Sequence, residues 1–266
     1  MRYIILLIAV MMMVGCGKKA PTPQPETKAF TNTLGMPFVP VPGTEVSFCI
    51  WETRVKDYAA YAAANVAVDE SWKNPRTQVT GTISFSQADT HPVVNVSWKD
   101  ANAFCTWLTK KELAEGQIKA GQKYRLPTDA EWSVAVGLGK EKGNTPEEKQ
   151  SGIKDVYPWG KEWPPSKEVG NYSKRLKVDN FEYTSPVGSF AANKYGLHDL
   201  GGNVWEWCED KYNSNSSTQW LRSAGILRGA SWGFDEQEHL SSSFRNPTDQ
   251  IVADYEKGFR CVLTNE

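Results

Sequence analysis

Cysteines, histidines and short acidic blocks carry whatever chemistry this chain of 266 residues performs. Cys49, Cys105, Cys208 and Cys261 form an even set, with Cys16 standing apart near the start. Four cysteines allow three pairings. A bridge closing the long segment from Cys105 to Cys261 would be worth about 4–5 kcal/mol in the chain-entropy account. Buried free thiols are the alternative. No Cys-x-x-Cys spacing occurs, so a zinc ribbon or a thioredoxin-type dithiol has no basis. The histidines are His91, His198 and His239, with no His-x-x-x-His or His-Glu-x-x-His run to hold a catalytic metal. Asp235, Glu236 and Glu238 make an acidic run, a pattern usual for a solvated face. Ser-His-Asp, phosphate-loop and Rossmann patterns are absent from the sequence.

The elements that must position these residues read coarsely from period and punctuation. Phe38–Val41, the Pro42-Gly43 turn and the alternating stretch 46–53 predict a β-hairpin. Ala and Tyr at helical spacing predict a helix over 55–67, and Ala101, Phe104, Cys105 and Leu108 share one face of a helix over 99–113. Thr128, followed three residues later by Glu131, is a capping box for a third helix over 128–137. From about Gly139 to Ser185 no period is sustained, which predicts long loops. Glycines beside tryptophans further on predict tight turns with rings over bare backbone. Eleven tryptophans point to an aromatic-studded fold with few helices.

The charge balance, with 30 basic and 31 acidic residues, gives a net charge of -1 and disfavours nucleic acid as a partner. Met1-Arg2, an apolar run from Tyr3 to Val14 and Gly15-Cys16 look like a lipoprotein signal. That run is shorter than the roughly 20 residues a spanning helix needs. The expected organisation is a lipoprotein signal peptide over 1–15, a Pro-rich tether over 16–33 and one folded domain over 34–266. Cys16 is the expected lipidation site, placing an exported, membrane-anchored lipoprotein in the periplasm or on the cell surface.

Five ordered blocks carry a specific resemblance. They are His91–Ala101 with Phe104 and Cys105; Tyr124–Trp132; Tyr157-Pro158-Trp159-Gly160; Tyr195–Trp207; and Arg228–Trp232 with the closing Gly258-Phe259-Arg260-Cys261. Together they resemble the sulfatase-modifying, formylglycine-generating-enzyme family. The resemblance implies an α+β domain of the C-type-lectin-like kind, rich in loops and low in regular secondary structure.

It also implies structural calcium. One site would use the side chains of Asp199 and Glu206 with the carbonyls of Gly202 and Val204. A second would use the side chains of Asn171 and Asp179 with the carbonyls of Tyr172 and Phe181, stapling the loop between Gly160 and Ser185. The family's disulfide would pair Cys105 with Cys261 and leave Cys49 and Cys208 for a second bridge.

The departure from the family lies after Ser231-Trp232. The family oxidase needs two cysteines there, because copper(I) favours thiolates and one of the pair exchanges with a substrate cysteine. Here the family register puts Phe234 and His239 at those positions, so neither copper nor sulfatase oxidation is expected, and function must be argued from the site. The expected function is a non-oxidase binding module taking a protein, peptide or glycan of the envelope through the loops 233–257. Its contacts would be Trp232, Phe234, Glu236, His239, Phe244, Arg245 and Tyr255. The alternative is a metal-dependent oxidoreductase, or an accessory factor maturing an exported enzyme.

Overall fold

Pro37–Pro40 (β2), with Phe38 buried, and the wholly buried Val46–Cys49 (β3) close the predicted hairpin, with Phe38 opposite Cys49 and Pro40 opposite Ser47. The computed structural model describes residues 29–76, 84–150, 152–213 and 215–264. The expected signal peptide and Cys16 lie outside the described residues. The folded part begins earlier than the expected boundary at residue 34: Phe30–Thr31 (β1) pairs with β2. Buried Asn32 then accepts the backbone N–H groups of Leu34 and Met36.

Three helices start on side-chain caps. Val55–Ala64 (α1) begins where the Arg54 guanidinium grips Asp57. Trp98–Ala114 (α2) has a capping box between Ser97 and Asp100, and buries the predicted face of Ala101, Phe104, Cys105 and Leu108. Tyr124–Arg125 (β4) leads into Asp129–Val136 (α3), boxed by Thr128 and Glu131 and stopped by Gly137 in the left-handed conformation at φ 101°. The loop stretch that follows contains one short helix, Pro146–Lys149 (α4).

Trp205–Lys211 (β5), a short helix Gln219–Ser223 (α5), Gly225–Arg228 (β6), Asn246–Thr248 (β7), Lys257–Gly258 (β8) and Val262–Thr264 (β9) complete the described chain. One sheet runs β1-β2-β3-β9-β4 and the other β7-β6-β5-β8, where only β5 and β8 pair in parallel. Returning β9 to the centre of the first sheet sets Arg260 and Cys261 in the middle of the molecule. One apolar cluster packs α1 and α2 through Tyr58, Tyr61, Phe104 and Phe259; the other packs α3 between the sheets through Phe48, Trp132, Ile226 and Val262. No helix among the described residues is long and apolar enough to cross a membrane.

All four described cysteines are buried thiols. Cys105 Sγ and Cys261 Sγ stand 3.5 Å apart, where the family bridge was expected. Neither expected bridge, Cys105 with Cys261 or Cys49 with Cys208, is formed. Cys49 lies in the first cluster, its N–H donating to the Cys261 carbonyl at 2.9 Å, whereas Cys208 lies in the second cluster.

Candidate functional site

The strand β6 delivers the chain into the C-terminal loops through Gly229 at φ 93° and Ala230 at φ 64°. A Cβ at Gly229 would come within 3.1 Å of the Leu200 carbonyl, so the close approach needs glycine. Ser231 is buried, and its Oγ accepts the Gly233 N–H at 3.3 Å, turning the loop outward.

Phe234 and His239, the two residues expected at the family's cysteine positions, come together with ring centroids 5.4 Å apart. Phe234 meets Trp205 edge-on at 5.1 Å, and Phe244 closes the group at 4.7 Å from His239. Exposed Glu236 approaches the His239 ring nitrogen at 3.4 Å. Phe234 and His239 thus form, with Trp205 and Phe244, an aromatic nest that holds one imidazole. Neither ring can form a mixed disulfide.

Beside the nest opens a cavity of about 510 Å³, lined by Phe244, Gln237, Glu238, Ser241, Ser243 and the facing segment around Tyr157. Gln237 donates to the Tyr157 hydroxyl at 2.6 Å, and Ser243 donates to the Ile153 carbonyl at 2.6 Å, tying the two walls together. The wall formed by Gln150, Ile153, Lys154, Asp155 and Tyr157 was not foreseen as part of the site, because it lies in the stretch without period.

Trp232 and Tyr255 form a second group, 5.6 Å apart. Tyr183 meets Trp232 edge-on at 5.2 Å and stacks on Phe85 at 4.6 Å. Neither Tyr183 nor Phe85 was singled out from the sequence. Glu256 packs under this loop, so close that a Cβ on Gly233 would strike its Oε1. Burial first, and then Asp254, push the Glu256 carboxyl up to about 7. A raised folded-state value means that its contribution is complete below the unfolded value near 4.3 and is lost as pH rises through about 7. The Glu256→Gln variant therefore gains stability relative to the native chain as pH climbs from about 5 to about 8. Urea midpoints at the two pH values test this, and a constant difference would refute it.

Arg245 is a correction. It was expected at the binding surface, yet its side chain is wholly buried. Its Nε donates to Asp129 Oδ1 at 2.9 Å and its Nη1 to Glu141 Oε1 at 3.0 Å. Arg228 also donates to Asp129 while lying 4.3 Å over the Trp132 ring. Burial of two guanidiniums demands paired carboxylates, and Asp129 and Glu141 supply them. His91 and His198 serve as structural residues, bonded to Thr184 Oγ1 at 2.9 Å and to the Phe190 carbonyl at 2.8 Å.

The calcium sets differ in how well they suit an ion. In the second set Asn171 is 1% exposed and its Oδ1 has no partner, while its amide nitrogen donates to the Tyr183 carbonyl at 2.8 Å. Asp179 orients there by accepting the Tyr172 and Phe181 N–H groups at 3.0 and 2.9 Å. An orphaned buried amide oxygen beside a fixed carboxylate fits a hard cation.

In the first set Glu206 turns away from the expected ligand role. Arg260 Nε donates to both its oxygens, at 2.9 and 2.8 Å, and Trp132 Nε1 donates to Oε2 at 2.9 Å. Asp199 stays near, with burial pushing it up to about 6. Glu52, missed from the sequence, joins as a third buried carboxylate and accepts from Asn203 Nδ2 at 2.7 Å. Burial, with Asp199 and Glu206, raises it well above its usual range. Arg260 pairs with Glu206 and burial favours the neutral form of Glu52, so this set carries little charge to offer a cation. Among the described residues no group of three or more His, Cys, Asp or Glu side chains is placed as a metal cluster.

A loop-rich α+β domain with two small sheets, its site carried on the loops after β6, defines the formylglycine-generating-enzyme fold of the C-type-lectin-like kind. The sulfatase-modifying factor enzyme 1-like domain matches residues 17–265, and the chain belongs to that family. It is 35% identical over 183 residues to inactive C-alpha-formylglycine-generating enzyme 2 of Bos taurus, covering 64% of this chain and 50% of the relative. It is 34% identical over 151 residues to the formylglycine-generating enzyme of Thermomonospora curvata, covering 54% of this chain and 40% of that protein. The chain thus spans half or less of these relatives' length. The solved structure of PvdO from Pseudomonas aeruginosa superposes with a TM-score of 0.65 at 20% identity, covering 91% of this chain and all of PvdO, which bears on the fold alone.

Proposed function

We propose that this chain is a non-oxidase member of its family that captures a protein, peptide or glycan of the envelope in the cavity beside Phe244, while lipid on Cys16 holds it to the membrane. The observation that carries the reading is the contact of Phe234 with His239 and of His239 with Phe244, beside a cavity of about 510 Å³. Aromatic walls with amides and hydroxyls are what interfaces use for anchoring and orientation. The 35% identity to a relative that is itself named inactive supports the loss of oxidase chemistry.

Random peptides displayed on phage and an immobilised glycan array, each probed with the purified chain, test the binding. One class is retained, and Gln237→Ala lowers its retention at least about tenfold by removing a polar contact at the mouth. Retention of nothing above a denatured control, or equal retention by the variant, would overturn the reading. Fatty-acid labelling in cells tests the anchor: Cys16→Ser loses the label. Formylglycine formed on a sulfatase cysteine peptide would end the non-oxidase assignment.

Calcium at the Asn171 and Asp179 set would order the loop between Gly160 and Ser185 and has no chemical role. Adding calcium at about 100 times its dissociation constant stabilises by about 2.7 kcal/mol. Thermal unfolding in calcium against chelator reads this as a rise in midpoint. Asn171→Ala loses most of that rise, and an unchanged midpoint in both buffers would contradict the assignment.

A further inference from the structure

Apart from the C-terminal loops, α1 and the start of α2 enclose a separate cavity of about 210 Å³, and its walls have a consistent chemistry. Tyr58, Tyr61 and Trp72 form one side, with Tyr58 meeting Tyr61 at 5.2 Å and 73° and Trp72 at 5.4 Å and 65°. Tyr58 also stacks on Phe104 at 5.9 Å and 11°, which fixes its ring beside the cavity. Asp69 and Asp100 line the same space, and no lysine or arginine does. Asp69 is held below the usual carboxylate range by the Ser71 hydroxyl and N–H, so it is charged at neutral pH. Asp100 accepts the Ser97 N–H and hydroxyl through Oδ2, at 2.8 and 2.5 Å. Lys73, outside the lining, pairs with Glu70 at 2.5 Å and already lies 5.7 Å over the Trp72 ring. Trp72 is 6% exposed, and its indole Nε1 has no partner.

An aromatic wall presents the negative faces of its rings, and carboxylates add formal charge, so an anion is repelled and a neutral guest leaves the charge uncompensated. The unpaired indole N–H asks for an acceptor on the same guest. We propose that this cavity binds an alkylammonium group carried on a molecule with a nearby oxygen, the cation resting against Tyr58, Tyr61 and Trp72 between Asp69 and Asp100. Free choline and a lysine side chain with its peptide carbonyl share this chemistry.

Equilibrium dialysis of the full chain with labelled choline tests the site, with 3,3-dimethylbutan-1-ol as the neutral isostere and N-acetyl-lysine methylamide as the peptide source. Choline or the lysine amide binds saturably, and the tighter of the two names the source. The isostere competes at least about tenfold more weakly, because it lacks the charge. Asp69→Asn weakens binding severalfold with an unchanged circular dichroism spectrum, whereas Gln237→Ala leaves it unaltered and so separates this site from the C-terminal cavity. Trp72→Phe, which keeps a ring and removes the N–H, weakens choline more than n-butylammonium. The proposal fails if neither ammonium binds saturably at millimolar concentration. It fails equally if the isostere competes as well as choline, or if a folded Asp69→Asn binds like the native chain.

Discussion

Replacing Asp129 with asparagine lowers the unfolding free energy by about 3–5 kcal/mol, because it strands two buried guanidiniums. Arg228 and Arg245 are both fully buried and both donate to the Asp129 carboxylate. With that charge removed, Glu141 alone faces the pair, and Lys149, 3.7 Å from Asp129, adds repulsion. Denaturant titration at neutral pH measures the loss, and a change under about 1 kcal/mol would show that water or a shift of the loop screens the arginines. Burial raises the Asp129 carboxyl, but the two arginines outweigh it and hold it below its ordinary value. A lowered folded value means that the stabilisation is present above the unfolded value near 3.9 and is lost as pH falls through the folded one. The native chain and the asparagine variant therefore converge in stability on acidification.

The second large effect is at Arg260. Arg260→Met removes the guanidinium that faces Glu206, Glu52 and Asp199, and costs about 3–5 kcal/mol in chelator. Glu206→Gln costs less, since the amide still accepts from Arg260 and Trp132. In the double variant Glu206→Leu with Arg260→Met both charges leave together, and the loss is smaller than the sum of the single substitutions. Additive losses would show that the two side chains do not act as a pair. Calcium narrows the defect of Arg260→Met if an ion shares the Asp199 charge, so the same titration in calcium reports on the first expected site as well.

The aromatic nest holds the loop after Ser231-Trp232 through ring contacts. Phe234 packs on Trp205 and His239 on Phe244, and the two rings meet each other, so ring contacts fix the course of the loop. Such edge-on pairs contribute about 0.5–1.5 kcal/mol each beyond burial. Loops held this way remain free to vary their outward residues, Glu236, Gln237 and Glu238, which border the cavity or lie beside it.

By itself the sequence determined whatever depends on neighbours a few residues apart. The box of Thr128 with Glu131 placed the start of α3, and the apolar spacing of Ala101, Phe104, Cys105 and Leu108 fixed the buried face of α2. The spacing of Phe234 and His239 after Ser231-Trp232 brought them to one point. Pro42-Gly43 set the first hairpin, which places buried Phe38 opposite Cys49.

Only the tertiary structure decided which charges face inward and which sulfurs meet. Asp129 and Arg245 are 116 positions apart, and Glu206 and Arg260 are 54 apart, so no local pattern announces either pair. A surface arginine and a buried one look alike in sequence. The return of β9 between β3 and β4 set Cys261 beside Cys105 and Cys49 and left Cys208 in the other cluster. The cavity between Tyr58, Trp72 and Asp100 arises the same way, from α1, a short turn and a helix cap that meet only when the chain is folded. Local interactions write themselves into spacing, whereas long-range electrostatics and packing depend on how distant elements are brought together.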